Sequence, residues 1–108
     1  MAKILNPNNA PYSPAGEALA MRWETQYDMS KCPFDAMWCR LPAAATSPED
    51  CHPESELLTV LSGELDLKME DSVHRLGAGN SIWIPSNQPH VLSNPSNSAE
   101  SLALSIYW

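Results

Sequence analysis

Hydrophobic and polar positions alternate most plainly over residues 57–70. An apolar run from Leu57 to Leu61 ends at Gly63, after which Leu65, Leu67 and Met69 alternate with Glu64, Asp66, Lys68 and Glu70. A period of two puts one set on a dry face and the other on a wet one, which is a half-buried strand. Glu70-Asp71-Ser72 predicts a turn, Val73 to Leu76 a return strand, and Gly77-Ala78-Gly79 a second turn. Ser81 to Ile84 is a short strand stopped by Pro85, and His90 to Leu92 is another. After a turn at Pro95-Ser96-Asn97-Ser98, Leu102, Leu104, Ile106 and Trp108 alternate with Ala103, Ser105 and Tyr107 in a closing strand. Short strands, tight turns and no strong helical period after residue 35 predict an all-β sandwich or barrel.

Upstream the pattern weakens. Pro7, Pro11 and Pro14 stand among Asn6, Asn8, Asn9 and Gly16, so residues 1–16 are expected to be irregular, loose or laid across a partner subunit. Ala18, Leu19, Met21 and Trp23 allow a short helix or an extended segment, and a strand around Ala20 to Glu24 is the expectation. A strand from Phe34 to Leu41 ends at Pro42, which disfavours α conformation in the residue before it. The expected organisation is an arm over residues 1–30 and a barrel over residues 31–108.

Composition narrows the partners. A chain of 108 residues fits one domain, and a 44% hydrophobic content fits a globular one. The net charge of −7 argues against nucleic acid and anionic membranes, which need a positive surface. There is no long apolar run and no secretory leader pattern, so a cytoplasmic location is expected. Cys32, Cys39 and Cys51 are odd in number and lack close spacing, against both a disulfide framework and a zinc knuckle.

The candidate chemistry lies in Asp50-Cys51-His52-Pro53-Glu54-Ser55-Glu56 and in His90. Two imidazoles and a carboxylate suit Fe(II) and also accept Zn, Mn, Ni or Co. Taken alone, His52, Glu56 and His90 read as surface polar residues. What changes that reading is the spacing of glycines and Pro85 around them. Cys51 would point away from its neighbours on an extended strand, and His74 and Glu54 read as solvated. Trp38, Trp83, Tyr107 and Trp108 read as core or dimer-contact aromatics, with one or two on a cavity wall.

The spacings run Asp50-x-His52-x3-Glu56-x6-Gly63 and Gly79-x5-Pro85-x-Asn87-x2-His90-x3-Asn94. This resembles the two signature motifs of the cupin superfamily, G-x5-H-x-H-x3,4-E-x6-G and G-x5-P-x-G-x2-H-x3-N. The resemblance covers roughly residues 37–108, and the 15 residues between Gly63 and Gly79 look like compact single-domain members. It implies a jelly-roll (double-stranded β-helix) barrel with one divalent metal, Fe, Zn, Mn or Ni, near its mouth. Carried over, the metal residues are His52, Glu56, His90 and Asp50. Asp50 departs from the family's histidine, so it either ligates or orients His52 from outside. Ala44 stands where the leading glycine would be. Asn87 replaces the turn glycine, and Asn tolerates the left-handed region better than most residues.

The resemblance implies an enzyme acting on a small carboxylate-, amine- or carbonyl-bearing metabolite, as lyase, isomerase, dioxygenase or amino-acid-modifying enzyme. Glu56 or Asp50 would move the proton. The rival readings are a non-catalytic metal or ligand module, supported by Asp50, and a metal-free storage-type barrel. Thr46-Ser47-Pro48 with the ending Leu104-Ser105-Ile106-Tyr107-Trp108 is also similar to the cupin part of N–N bond-forming, hydrazine synthetase-like proteins. A barrel this small buries only about 60–65% of its unfolded surface, so a homodimer is the expected assembly.

Overall fold

The computed structural model describes residues 2–108. Nine antiparallel strands form two sheets: β1 (Ser13–Ala15), β2 (Ala18–Arg22), β3 (Asp35–Leu41), β4 (Glu56–Ser62), β5 (Glu64–Met69), β6 (Ser72–Gly77), β7 (Ser81–Ile84), β8 (Val91–Ser93) and β9 (Ser101–Tyr107). The larger sheet has the order β1-β2-β3-β9-β4-β7, and the smaller one β6-β5-β8. They face each other as a jelly roll around a core of Leu41, Leu58, Val60, Leu65, Leu67 and Ile84, all fully buried. Among the described residues no helix is long and apolar enough to cross a membrane.

Register decides which side chains look inward, because directly opposed residues share a face. One row across the large sheet is Ala20–Cys39–Ala103–Val60, and the next is Arg22–Met37–Ser105–Leu58–Ile82. A third, at the rim, is Asp35–Tyr107–Glu56–Ile84. On β9 the inward set is therefore Ser101, Ala103, Ser105 and Tyr107, the smaller and more polar of its two alternating sets. Leu104 and Ile106 look outward, half-buried. Ser105, in this inward set, donates its hydroxyl to Glu56 Oε2, which an apolar side chain there would not do.

The N-terminal segment is more regular than its prolines suggest. β1 and β2 form a hairpin turning at Gly16, which has φ +63°, and β2 pairs with β3. Pro14 is tolerated because β1 is an edge strand, where a missing N–H breaks no ladder. β2 starts and stops two residues earlier than expected. A 3-10 turn at Trp23–Thr25 ends it, with Tyr27 N donating to Trp23 O at 2.8 Å. The hairpin tip is held against the loop ahead of the candidate ligands. Glu17 Oε1 accepts from Thr46 N at 2.9 Å, and a Cβ on Gly16 would come within 2.9 Å of Pro48.

Candidate metal centre

Residues 45–50 run antiparallel beside residues 90–94 without forming a long strand. Asn94 N donates to Ala45 O at 2.9 Å, Ser47 N to Leu92 O at 2.8 Å, and Asp50 and His90 exchange both backbone bonds at 2.9 Å. That last pair puts Asp50 and His90 directly opposite each other on one face. Asn87 N donates to His52 O at 2.7 Å, which seats His52 beside the turn preceding His90. Asn87 has φ +60°, so the left-handed backbone the family gives to glycine is kept. Glu56 begins β4 and points inward beneath both imidazoles.

The structure thus brings His52, Glu56, His90 and Asp50 together. His52 Nε2 lies 3.0 Å from Glu56 Oε1 and 3.9 Å from Asp50 Oδ2, and His90 Nε2 lies 3.6 Å from Glu56 Oε1. The candidate ligand atoms of Asp50, His52 and His90 all lie within 4.8 Å of one another. Two donors each about 2.1 Å from a shared ion at a tetrahedral angle stand ~3.4 Å apart, so the spacings match a common cation.

The donor chemistry points the same way. His52 Nδ1 donates to Glu54 O at 2.9 Å and His90 Nδ1 to Gln88 O at 2.8 Å. In the neutral rings this leaves lone pairs on both Nε2 atoms, and both face a carboxylate oxygen, another acceptor. With the rings in this tautomer, a proton or a metal ion between them satisfies both Nε2 atoms and Glu56 Oε1 together. Glu56 Oε2 is engaged separately by the Ser105 hydroxyl at 2.7 Å. Glu56 and His90 are buried, whereas the Asp50 side chain is 60% exposed at the edge of the cluster.

Titration follows this geometry. Burial alone would raise the Glu56 carboxyl, but His90, the Ser105 hydroxyl and His52 outweigh it and hold it below the usual range. Burial alone would lower His90, but the Glu56 carboxylate, the Gln88 carbonyl and the Asp50 charge leave it raised. Burial, reinforced by the Glu56 charge, pushes the Cys39 thiol up to about 12, so it is an inert wall residue. Cys51 is exposed, as is His74, which contacts Ser72 Oγ at 3.2 Å. Glu54 offers its carbonyl to His52.

The cluster opens onto a cavity of about 440 Å³. Its walls include Ala18, Ala20, Met37, Cys39, Leu41 and Leu92; Asp50, Glu56 and His90 stand at one side and Arg22 at the rim. Of the four aromatics singled out in sequence, Tyr107 shares the inward face with Glu56, and Trp38 is buried beneath Trp23. Trp83 and Trp108 are exposed and pack edge-to-face at 5.4 Å. Ser105 and Arg22 escaped the sequence reading. The one signal for Ser105 is a hydroxyl in the small-residue register of β9.

A two-sheet antiparallel roll with a His/Glu/Asp cluster at one mouth defines the class of small barrels with a metal-capable rim. The chain belongs to the cupin family: it matches the cupin domain over residues 37–107. Among solved structures it is similar to a Cupin 2 conserved barrel domain protein from Salinispora arenicola, at 20% identity and TM-score 0.80, covering 100% of this chain and 87% of that one. It is also similar to the polyketide cyclase RemF from Streptomyces resistomycificus, at 17% identity and TM-score 0.77, covering 99% and 79%. These two are likenesses of fold. The DMSP lyase DddQ from Ruegeria pomeroyi matches at 29% identity and TM-score 0.63, over 68% of this chain and 37% of that longer one.

Proposed function

We propose that this chain is a metal-dependent cupin enzyme acting on a small carboxylate-, amine- or carbonyl-bearing metabolite. The observation that carries the reading is the meeting of two Nε2 lone pairs and a buried carboxylate oxygen at the wall of a ligand-sized cavity. His52, His90 and Glu56 would hold a divalent ion of the Fe, Zn, Mn or Ni kind, with Asp50 at the open side. Such an ion supplies Lewis-acid polarisation of a substrate oxygen or, as iron, the redox chemistry of O2. The two acids differ in what they can do. Glu56 has both oxygens engaged and is buried, which suits holding. Asp50 is exposed at the cavity edge, which suits taking or giving a substrate proton. That a polyketide cyclase and a DMSP lyase share the fold supports catalysis on such a barrel.

Metal analysis of the purified protein beside His52→Ala and His90→Ala tests the site. About one divalent ion per chain, lost in both variants, is expected; the same metal content in all three proteins rejects it. Turnover is then sought on the metal-loaded protein with keto acids and amino acids, the latter because of the hydrazine synthetase-like ending. Asp50 in place of a histidine favours one rival, a binding module without turnover. Ligand-dependent melting shifts with no product from any panel member would select it.

The same reading includes a homodimer formed through the outer face of the large sheet. Leu61, Trp83 and Trp108 are exposed there, at 42%, 58% and 49%. Trp83 lies opposite Leu57, which lies opposite Ile106 on the adjoining strand, so the apolar positions are contiguous. Sedimentation velocity should show a dimer that Trp83→Ser or Trp108→Ser weakens; a wild-type monomer at tens of micromolar rejects it.

A further inference from the structure

The cavity has a second pole. Arg22 ends β2 opposite Met37, so it belongs to the inward face with Ala18 and Ala20, and it lines the cavity. No other arginine or lysine does so among the described residues. The Arg22 side chain stands at the cavity rim, 66% exposed, so the guanidinium keeps its hydration while facing the opening through which a ligand enters.

The other two arginines are committed. Arg40 donates through Nε and Nη2 to Glu100 Oε1 at 2.9 and 2.6 Å, and Arg75 forks onto Asp66 at 2.8 and 3.0 Å. Arg22 has only Glu24 Oε1 at 3.9 Å, with both side chains largely in solvent. Its planar fork therefore stays available for a bidentate partner.

We propose that Arg22 is the specificity-determining residue of this cavity, and that the ligand is a small carboxylate with an apolar body. Its acid group seats on the Arg22 guanidinium, and its other end reaches the cluster at Glu56, His90 and Asp50. This rests on the reading of that cluster as the reactive end of the cavity.

The dimensions and lining agree. Arg22 lies two strands from Ser105, whose hydroxyl holds Glu56, a separation of about 10 Å at ordinary strand spacing. A chain of a few carbons covers what the arginine's own length leaves. Between the poles the walls are Ala20, Met37, Cys39 and Leu92, which offer contact but no charge. Glu49, Asp50 and Glu56 also line the cavity, so an anion without Arg22 would meet mainly carboxylates. Arg22 thus selects against the neutral amide of the same shape.

The test measures binding, by calorimetry at low salt, of straight-chain carboxylates from butanoate to octanoate and of their amides. Metal-loaded and chelator-treated protein are both used, as wild type, Arg22→Lys and Arg22→Met. A charge-assisted bidentate contact at a partly exposed site is worth about tenfold. Expected is a carboxylate preference over the matching amide in wild type, lost about tenfold in Arg22→Met and partly kept in Arg22→Lys, with amide binding unchanged. Equal carboxylate affinity in Arg22→Met, or no carboxylate bound better than its amide by wild type, overturns the proposal. Metal content measured on the same samples separates the two ideas. A protein without metal whose carboxylate binding still depends on Arg22 loses the metal reading and keeps this one. A metal-loaded protein indifferent to Arg22 does the reverse.

Discussion

Ala44 occupies the turn that delivers the first ligand-bearing loop, and its backbone is in the wrong region for alanine. Its φ is +61°. Ala45 N donates to Pro42 O at 3.0 Å, closing a four-residue turn with Ala44 third, a place that favours glycine when φ is positive. An L-residue held in the left-handed region costs about 1–2 kcal/mol, while glycine's extra freedom in the unfolded chain gives back about 0.5–1 kcal/mol. Ala44 is exposed, so removing its methyl group opens no cavity. Ala44→Gly is therefore expected to stabilise the protein by about 0.5–1 kcal/mol, raising Tm by about 2–6 °C. Ala43, one residue earlier and also exposed, has an ordinary negative φ. There the same change should destabilise by about 0.5–1 kcal/mol. The two variants differ by one position and in sign, so composition cannot account for the pair. Urea unfolding of both beside wild type decides. An Ala44→Gly protein no more stable than wild type would refute the reasoning, because it would mean that the turn is not left-handed at that residue.

Two further predictions follow from the site and its supports. Asn94 is buried and donates to the carbonyls of Leu41, Pro42 and Ala99 at 3.0, 3.2 and 2.8 Å while accepting from Ser96 N at 3.0 Å. Asn94→Ala should cost about 2–4 kcal/mol in urea unfolding, and Asn94→Asp more, since a carboxylate would face three carbonyl oxygens; a cost under half of that speaks against the clamp. For pH, His90 is raised above 6.5 in the fold, so its contribution is complete below 6.5 and is lost as pH climbs through the raised value. Glu56 is lowered beneath 4.5, so its contribution is present above 4.5 and is lost as pH falls through the lowered value. These two groups leave chelator-treated protein most stable between pH 4.5 and 6.5. Zinc-loaded protein should instead gain from pH 6 to pH 8, because a metal competes with the proton for the same imidazoles. Parallel curves with and without zinc would count against a shared site.

The strands that could be read in sequence were those whose two faces meet different solvents. β5 alternates because its inward Leu65 and Leu67 are fully buried while Glu64 and Lys68 are wet. The barrel itself was legible from such runs and from the glycine and proline spacing. Gly63 shows why the spacing matters: with φ +75°, an added Cβ there would lie 2.5 Å from Ser101 Oγ and 2.8 Å from Glu100 O. Of the N-terminal hairpin β2 was legible to within two residues, but β1 was not, because Pro14 argues against a strand until one knows that it sits on an edge. His52, Glu56 and His90 were found only through family-like spacing; their own pattern is that of scattered polar residues. Whether Asp50 joins them depends on its backbone pairing with His90, which connects residues forty apart and leaves no mark nearby in the chain. Arg22 and Ser105 were invisible for the same reason. Their roles come from the order β2-β3-β9-β4, a property of the sheet and not of any segment.

β9 ties the site to the outside of the molecule. A strand with one apolar and one small-polar face would ordinarily turn the apolar face to the core. Here Ala103 and Ser105 go inward, and Ser105 supplies the hydroxyl that holds Glu56. Leu104, Ile106 and Trp108 are then displaced to the outer face, where Trp83 and Leu57 of neighbouring strands adjoin them. Part of that face is covered within the chain itself, where Met21, Trp38 and Leu102 are buried, and the part around Leu61, Trp83 and Trp108 stays exposed. On this argument the hydroxyl that holds Glu56 and the apolar patch of the proposed dimer are one consequence of the same alternation. A larger apolar side chain at position 105 would remove the hydroxyl that holds Glu56 without removing the exposed face.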